Sequence, residues 1–308
     1  MSRTRQLVDA LREQLGGRDP LPPPPPLPRI PEPPVRIFPR RSGAGELEGA
    51  SRYAREAAAH TTALLGIGHV GTRYATDVVL QFQAELAVAH EAVATELPDD
   101  WAAAKGLISL KSRVTGHREF LLRPDLGRRL DAESLSRLQH EGTRGVDVQP
   151  ILADGLSAVA CMGSGLALLE AFSAACRAQG LSVGKPVCAR YARVWLEDEI
   201  GETVAAKVAA ILLGERPGLG TGDGLSAYLV YDPKIGNTDG ERNMMSNIHP
   251  RGTPPAEAGR RLAVLARAMV DQKRSGVSLD LSGLAASLGD AGGRAHRAPQ
   301  PRVRLVEV

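Results

Sequence analysis

The stretch Val208-Ala209-Ala210-Ile211-Leu212-Leu213 decides the fold. It is apolar at six successive positions, with none of the alternation of a half-buried strand. An apolar run of this length, bounded by Lys207 and Gly214, reads as a strand covered on both faces. Working outward, Val148–Ala153, Pro186–Tyr191 and Ser226–Tyr231 are runs of the same kind. Helical patterns lie around them at Gly165–Gln179, Asp198–Ala206 and Pro255–Arg274. Strands separated by helices imply right-handed crossovers and a parallel sheet. The expectation is an α/β fold: a small, mainly parallel, Rossmann-like sheet flanked by helices, occupying residues 146–280.

The residues before it have a different texture. Residues 46–145 read as a helical N-terminal domain. Within it, Ala75–Glu96 repeats apolar positions at helical spacing, and Leu97-Pro98-Asp99-Asp100 stops the pattern. Asp100 is placed to cap an element starting at Trp101. Arg123-Pro124-Asp125 opens a turn and a helix through His140. Residues 1–18 form an amphipathic arm, with Leu7, Val8, Leu11 and Leu15 on one stripe. Residues 19–45 are a linker, because 11 of the 22 prolines fall between 20 and 39. Proline fixes φ and removes an amide donor, so this segment reads as an extended polyproline spacer. The tail 281–308, rich in Gly, Ala, Arg and Pro, is expected to be flexible.

Charge narrows the function. The chain of 308 residues carries a net +3, but residues 1–41 alone hold eight Arg against four acids. The remainder is close to neutral. It therefore lacks the basic footprint that neutralising phosphates on a nucleic acid requires. Three cysteines, none in a C-x-x-C, exclude a disulfide framework and zinc-type spacing. No apolar run reaches the roughly 18–20 residues of a membrane helix, and no apolar leader segment opens the chain. The expected setting is the cytoplasm, away from membranes.

Several motifs carry chemistry in other contexts. Gly66-Ile67-Gly68-His69-Val70-Gly71 matches G-x-G-x-x-G, which would make the chain a nicotinamide-dependent oxidoreductase if a strand preceded it and an acid ended the next strand. The context reads as helical, so a tight inter-helix turn is the better reading. Gly218–Gly224 is glycine-dense and follows the strand Val208–Leu213, a position where open α/β sheets bind ligands. It lacks the Lys-Ser/Thr of a phosphate loop. Asn247-Ile248-His249-Pro250-Arg251-Gly252 is one carboxylate short of D-x-H-x-x-G, a cobalt-ligating motif, so His249 reads as a loop hydrogen-bonder. Asp154 ends a strand and reads as the tie of a turn. No catalytic residue and no metal ligand is assigned.

Taken together, several strings resemble the small (light) subunit of ethanolamine ammonia-lyase: RPDLGRRL (123–130), DVQPILADGLS (147–157), ARYARV (189–194), EDEIGE (197–202), LLGERPGLG (212–220), LSAYLVYDP (225–233) and SNIHPRGTPPAEA (246–258). Order and spacing agree over roughly residues 50–280. The resemblance implies a partner of a larger TIM-barrel subunit in a hetero-oligomer, with adenosylcobalamin lying between the two. Radical chemistry at its cobalt–carbon bond would turn ethanolamine into acetaldehyde and ammonia. It also implies three cofactor-binding positions, Val194, Glu215 and Met244. Val194 and Glu215 follow successive strands, Met244 is expected in the loop after the next, and all three should project from one edge of the sheet. An ion pair with Arg216 or another arginine is the competing role for Glu215. Met244 stands where a compared form has Cys, so its contact is through either side chain or backbone. Some members work inside bacterial microcompartments, and residues 1–18 resemble the short helices that direct encapsulation. A scaffold subunit that keeps the fold without the cofactor is the remaining alternative.

Overall fold

The computed structural model describes residues 69–282 except Thr221, together with Leu284. The arm, the linker, the first half of the G-x-G-x-x-G string and the tail beyond Leu284 lie outside the described residues.

The chain forms a short hairpin, β1 (His69–Val70) with β2 (Arg73–Tyr74), then helices α1 (Thr76–Ala94) and α2 (Trp101–Ala104). Strand β3 (Ile108–Lys111), helix α3 (His117–Leu122) and helix α4 (Ala132–Glu141) follow. Next come β4 (Val148–Ala153) and α5 (Ala158–Ala178), which contains a π-helical stretch at Cys161–Gly165. Then come β5 (Val187–Arg190), α6 (Leu196–Thr203), β6 (Val208–Gly214), β7 (Leu225–Tyr231), β8 (Arg242–Ile248) and α7 (Pro255–Gln272).

Six strands make one sheet in the order β3-β5-β4-β6-β7-β8. The pairs β3/β5, β5/β4 and β4/β6 are parallel, and β6/β7 and β7/β8 are antiparallel. The fold is therefore α/β with a mostly parallel sheet, and the four expected strands stand within a residue of their predicted bounds. Two strands are additional. β3 falls inside the stretch read as helical, so residues 46–145 contribute an edge strand to the sheet. β8 falls where a loop was expected. β7 runs antiparallel because the ten residues between β6 and β7 are too few for a crossover helix, and a hairpin-type return is the connection left.

Side chains alternate between two cores. On one face Leu152, Cys188, Ala210, Leu212 and Leu229 pack beneath α5 and α7, with Phe172, Leu262 and Met269 fully buried. On the other, Ile151, Ala153, Val187, Ala189 and Ile211 pack beneath α4 and α6, with Leu138, Leu196 and Ile200. β6 is closed on both sides, as its composition requires. α5 is long and apolar enough to cross a membrane by length and composition, yet it is the core helix of the first face. Cys161, Cys176 and Cys188 are free, buried thiols. Burial pushes Cys176 up to about 12, and the Cys188 thiol together with burial holds Cys161 well above the usual range.

Of the G-x-G-x-x-G string, His69-Val70-Gly71 lies among the described residues. Its second half is the β1–β2 hairpin, with Gly71 at φ +62°, and this hairpin pairs with itself rather than with the main sheet.

Candidate functional site

The carboxyl ends of β4, β5 and β6 form one rim. At the end of β4, Asp154 is buried, and its Oδ2 accepts the Tyr191 amide at 2.7 Å while Oδ1 accepts the Ala192 amide at 3.2 Å. Burial pushes its carboxyl up to about 7, against the pull of those amides. The expectation that Asp154 ties a turn holds, but the main turn it fixes is the one leaving β5. That turn holds Tyr191 at φ +53°, a region costly for a non-glycine residue, and leads directly to Val194.

The exits of β4 and β6 cross closely. A methyl group at Gly155 would lie 2.3 Å from the Gly214 carbonyl oxygen, and one at Gly214 would lie 2.3 Å from the Asp154 and Ser157 oxygens. Only glycine fits both positions, and this contact aims the chain from β6 toward Glu215.

Glu215 is half-buried. Its Oε1 accepts the Ser226 hydroxyl and, at 3.1 Å, the backbone amide of Asn247. The Asn247 amide is free for this because β8 bulges between Met245 and Ile248, with Asn247 at φ +59°. The other oxygen, Oε2, has no hydrogen bond within the described residues. Among the described residues Glu215 forms no ion pair with Arg216 or another arginine.

Met244 is not in a loop. It sits within edge strand β8, opposite Tyr228, which in turn is opposite Ile211, and it is 51% exposed. Directly paired residues share a face, so Met244 stands on the same side of the sheet as the core formed by α4 and α6. Val194, Leu213 and Tyr228 border that same core as half-buried side chains. The three predicted positions are thus brought to one side of the sheet. Val194 and Glu215 lie at its carboxyl rim, with β4 between their strands, and Met244 lies two strands beyond β6 at mid-strand level.

A buried ionic lock supports this face, and the sequence reading missed it. Arg242, at the start of β8, donates to Asp198 at 2.8 and 2.7 Å and to Glu197 at 3.1 Å, all three side chains being at most 3% exposed. Burial raises the carboxyl pKa of both Glu197 and Asp198, and the guanidinium opposes that rise. On the same helix Glu199 accepts the Leu130 amide at 2.6 Å and pairs with Arg129, and Glu202 accepts the Ile235 amide at 3.1 Å. The string EDEIGE, opening on three adjacent acids in the first turn of a short helix, is the signal that could have found it.

His249 is buried, and its Nδ1 accepts the Arg251 amide at 3.2 Å. An amide can only donate, so the ring proton is on Nε2, which donates to Asn247 Oδ1 at 2.7 Å. Both nitrogens are engaged within the loop, as expected of a hydrogen-bonder. In the glycine-dense loop, the Gly224 carbonyl accepts the Glu215 amide and the Gly222 carbonyl accepts the Ser157 hydroxyl at 2.8 Å, so its described residues fold back on the rim.

The family model described as ethanolamine ammonia-lyase light chain matches residues 52–280. This chain belongs to the ethanolamine ammonia-lyase light chain family. The match spans the described α/β fold almost entire, so the sheet rim, the Arg242 lock and the Glu215 bulge all lie within the light-chain region. As a light chain, the protein is one part of a lyase whose other part is a larger subunit.

Proposed function

We propose that this light chain completes an adenosylcobalamin site at its interface with the large subunit of ethanolamine ammonia-lyase, an enzyme that converts ethanolamine to acetaldehyde and ammonia. The observation that carries the reading is the half-buried Glu215, with one oxygen pinned and the other without a hydrogen bond among the described residues, at the rim of the sheet side that also holds Val194, Leu213, Tyr228 and Met244. These residues fit the group. A corrin rim presents carboxamide N–H donors, and a carboxylate oxygen accepts them strongly. The flat macrocycle asks for apolar surface beside a few fixed polar atoms.

When bound, adenosylcobalamin supplies radical chemistry through its cobalt–carbon bond. The light chain contributes position. Glu215 Oε2 orients a carboxamide, its Oε1 being fixed by Ser226 and Asn247. Val194 is set by the turn that Asp154 clamps. Met244, on a strand locked by Arg242, adds apolar area. No residue of this chain is given a proton to move.

Titration of the reconstituted two-subunit complex tests this. Glu215→Ala is expected to weaken adenosylcobalamin binding about tenfold to a hundredfold, the scale of a lost charged hydrogen bond. Wild-type affinity in that variant, or a purified complex without corrin absorbance after loading, refutes the role. Encapsulation through residues 1–18 belongs to the same reading. Deleting residues 1–20 is expected to abolish co-purification with microcompartment shells, and unchanged loading refutes it.

A further inference from the structure

Three arginines lie along the rim: Arg193 precedes Val194, Arg216 follows Glu215, and Arg128 follows Gly127, which packs on Arg193. The Arg193 amide donates to the Gly127 carbonyl at 2.8 Å, and Gly127 lies so close that an added methyl group would sit 2.7 Å from Arg193 Cγ. Arg128, the next residue, stacks on Trp195 with its guanidinium carbon 4.0 Å from the ring centre. Arg193 stacks on Phe120 at 4.1 Å and donates to the Phe120 carbonyl at 2.7 Å. Arg216 follows Glu215, and its charge, like that of Arg128, is felt at Arg193, whose pKa burial and these two cations lower.

The nearest acids are engaged elsewhere. Glu215 is turned to Ser226 and Asn247, and Asp154, the acid felt at Arg193, is taken up by the Tyr191 and Ala192 amides. Among the described residues none of the three arginines makes an ion pair. Arg193 Nε is buried without an acceptor. Trp195 and Phe120 hold two of the guanidinium groups over their rings, and arginine held on an aromatic face still offers N–H donors suited to phosphate oxygens.

We propose that Arg128, Arg193 and Arg216 form a binding site for a phosphate-type anion, and that it takes the phosphodiester of the cobalamin nucleotide. The second half rests on the cobalamin reading above. The test uses the reconstituted complex with adenosylcobalamin, adenosylcobinamide (which lacks the phosphodiester and nucleotide) and inorganic phosphate. Arg128→Gln and Arg216→Gln are expected to raise the Kd for adenosylcobalamin about tenfold each, the scale of a lost charged hydrogen bond, and to leave adenosylcobinamide unchanged. Inorganic phosphate is expected to change Trp195 emission in the wild type and not in Arg128→Gln. Equal weakening of both corrinoids, accompanied by weaker subunit association without cofactor, would assign the arginines to carboxylates of the large subunit and overturn the proposal. Unchanged adenosylcobalamin affinity with no phosphate response also overturns it. Should the wild-type complex bind neither corrinoid, the cobalamin reading fails, and the anion site is then decided by the phosphate response alone.

Discussion

Asp154→Asn isolates the carboxyl that fixes the β5 exit. In the folded chain burial pushes this group up to about 7, from its ordinary value of 3.8. Between those values the folded chain holds a proton that the unfolded chain releases. The stability carried by that proton is complete below about pH 4 and is lost as pH rises through about 7. Each pH unit in that window is worth about 1.4 kcal/mol, so this one carboxyl removes about 3 kcal/mol between pH 5 and pH 8. Asparagine stays neutral throughout. It leaves one of the two amides, Tyr191 or Ala192, without its acceptor at a cost of about 1–3 kcal/mol, and that cost is the same at every pH. The diagnostic is therefore the slope. Urea unfolding at pH 5, 6, 7 and 8, followed by tryptophan fluorescence, is expected to show wild-type stability falling relative to the variant by about 3 kcal/mol across the range. Parallel pH profiles for the two proteins would refute the placement of a buried, proton-holding carboxyl under the rim.

Gly155→Ala combines a left-handed backbone, φ +54°, with a methyl group 2.3 Å from the Gly214 oxygen, so thermal unfolding is expected to show a loss of more than about 1–2 kcal/mol. Met244→Ala removes a half-exposed side chain. Its stability should stay within about 0.5 kcal/mol of wild type, while the Kd for adenosylcobalamin rises less than in Glu215→Ala. Arg242→Met leaves Glu197 and Asp198 buried without their cation and is expected to cost about 3–5 kcal/mol in denaturant unfolding. Adding Glu197→Gln and Asp198→Asn should recover much of that loss, and no recovery would show that the lock acts through shape rather than charge.

What was legible in the sequence follows from how each element is stabilised. β4 and β6 are covered on both faces, and their apolar runs have no other use, so their bounds were readable to the residue or nearly so. β8 is an edge strand. It pairs on one side only, its side chains between the ends are exposed or half-buried, and its first residue is a buried arginine that needs acids 44 and 45 residues away. No local pattern carries that information, so Arg-Asn-Met-Met-Ser-Asn read as a loop. β3 is four residues long and sits amid helices, and its pairing with β5 is equally non-local. Glu215 and Val194 were found through the resemblance and then placed at strand ends by the apolar runs alone. Their fixings, the Asn247 bulge and the Asp154 clamp, are tertiary contacts that no spacing announces.

The position of the proposed contact face follows from how the sheet's own crevice is filled. β4 sends its connection, α5, to one face, and its neighbour β5 sends α6 to the other. A diverging pair of this kind opens the crevice in which open α/β sheets seat their ligands. Here the Asp154 carboxyl occupies it, bonded to both amides of the β5 exit, and Glu96, His117, Phe120 and Tyr191 close over it. That leaves a space too small for a cofactor. What remains open along the same rim is the side toward α6, where Val194, Leu213, Glu215 and Tyr228 lead outward to Met244. β7 and β8, the two strands that depart from the parallel pattern, extend exactly this side and carry the Asn247 amide that fixes Glu215. The antiparallel addition thus moves the available surface off the usual crevice onto a broad flank, a shape suited to a wide, flat ligand shared with a second subunit rather than to a nucleotide enclosed by one chain.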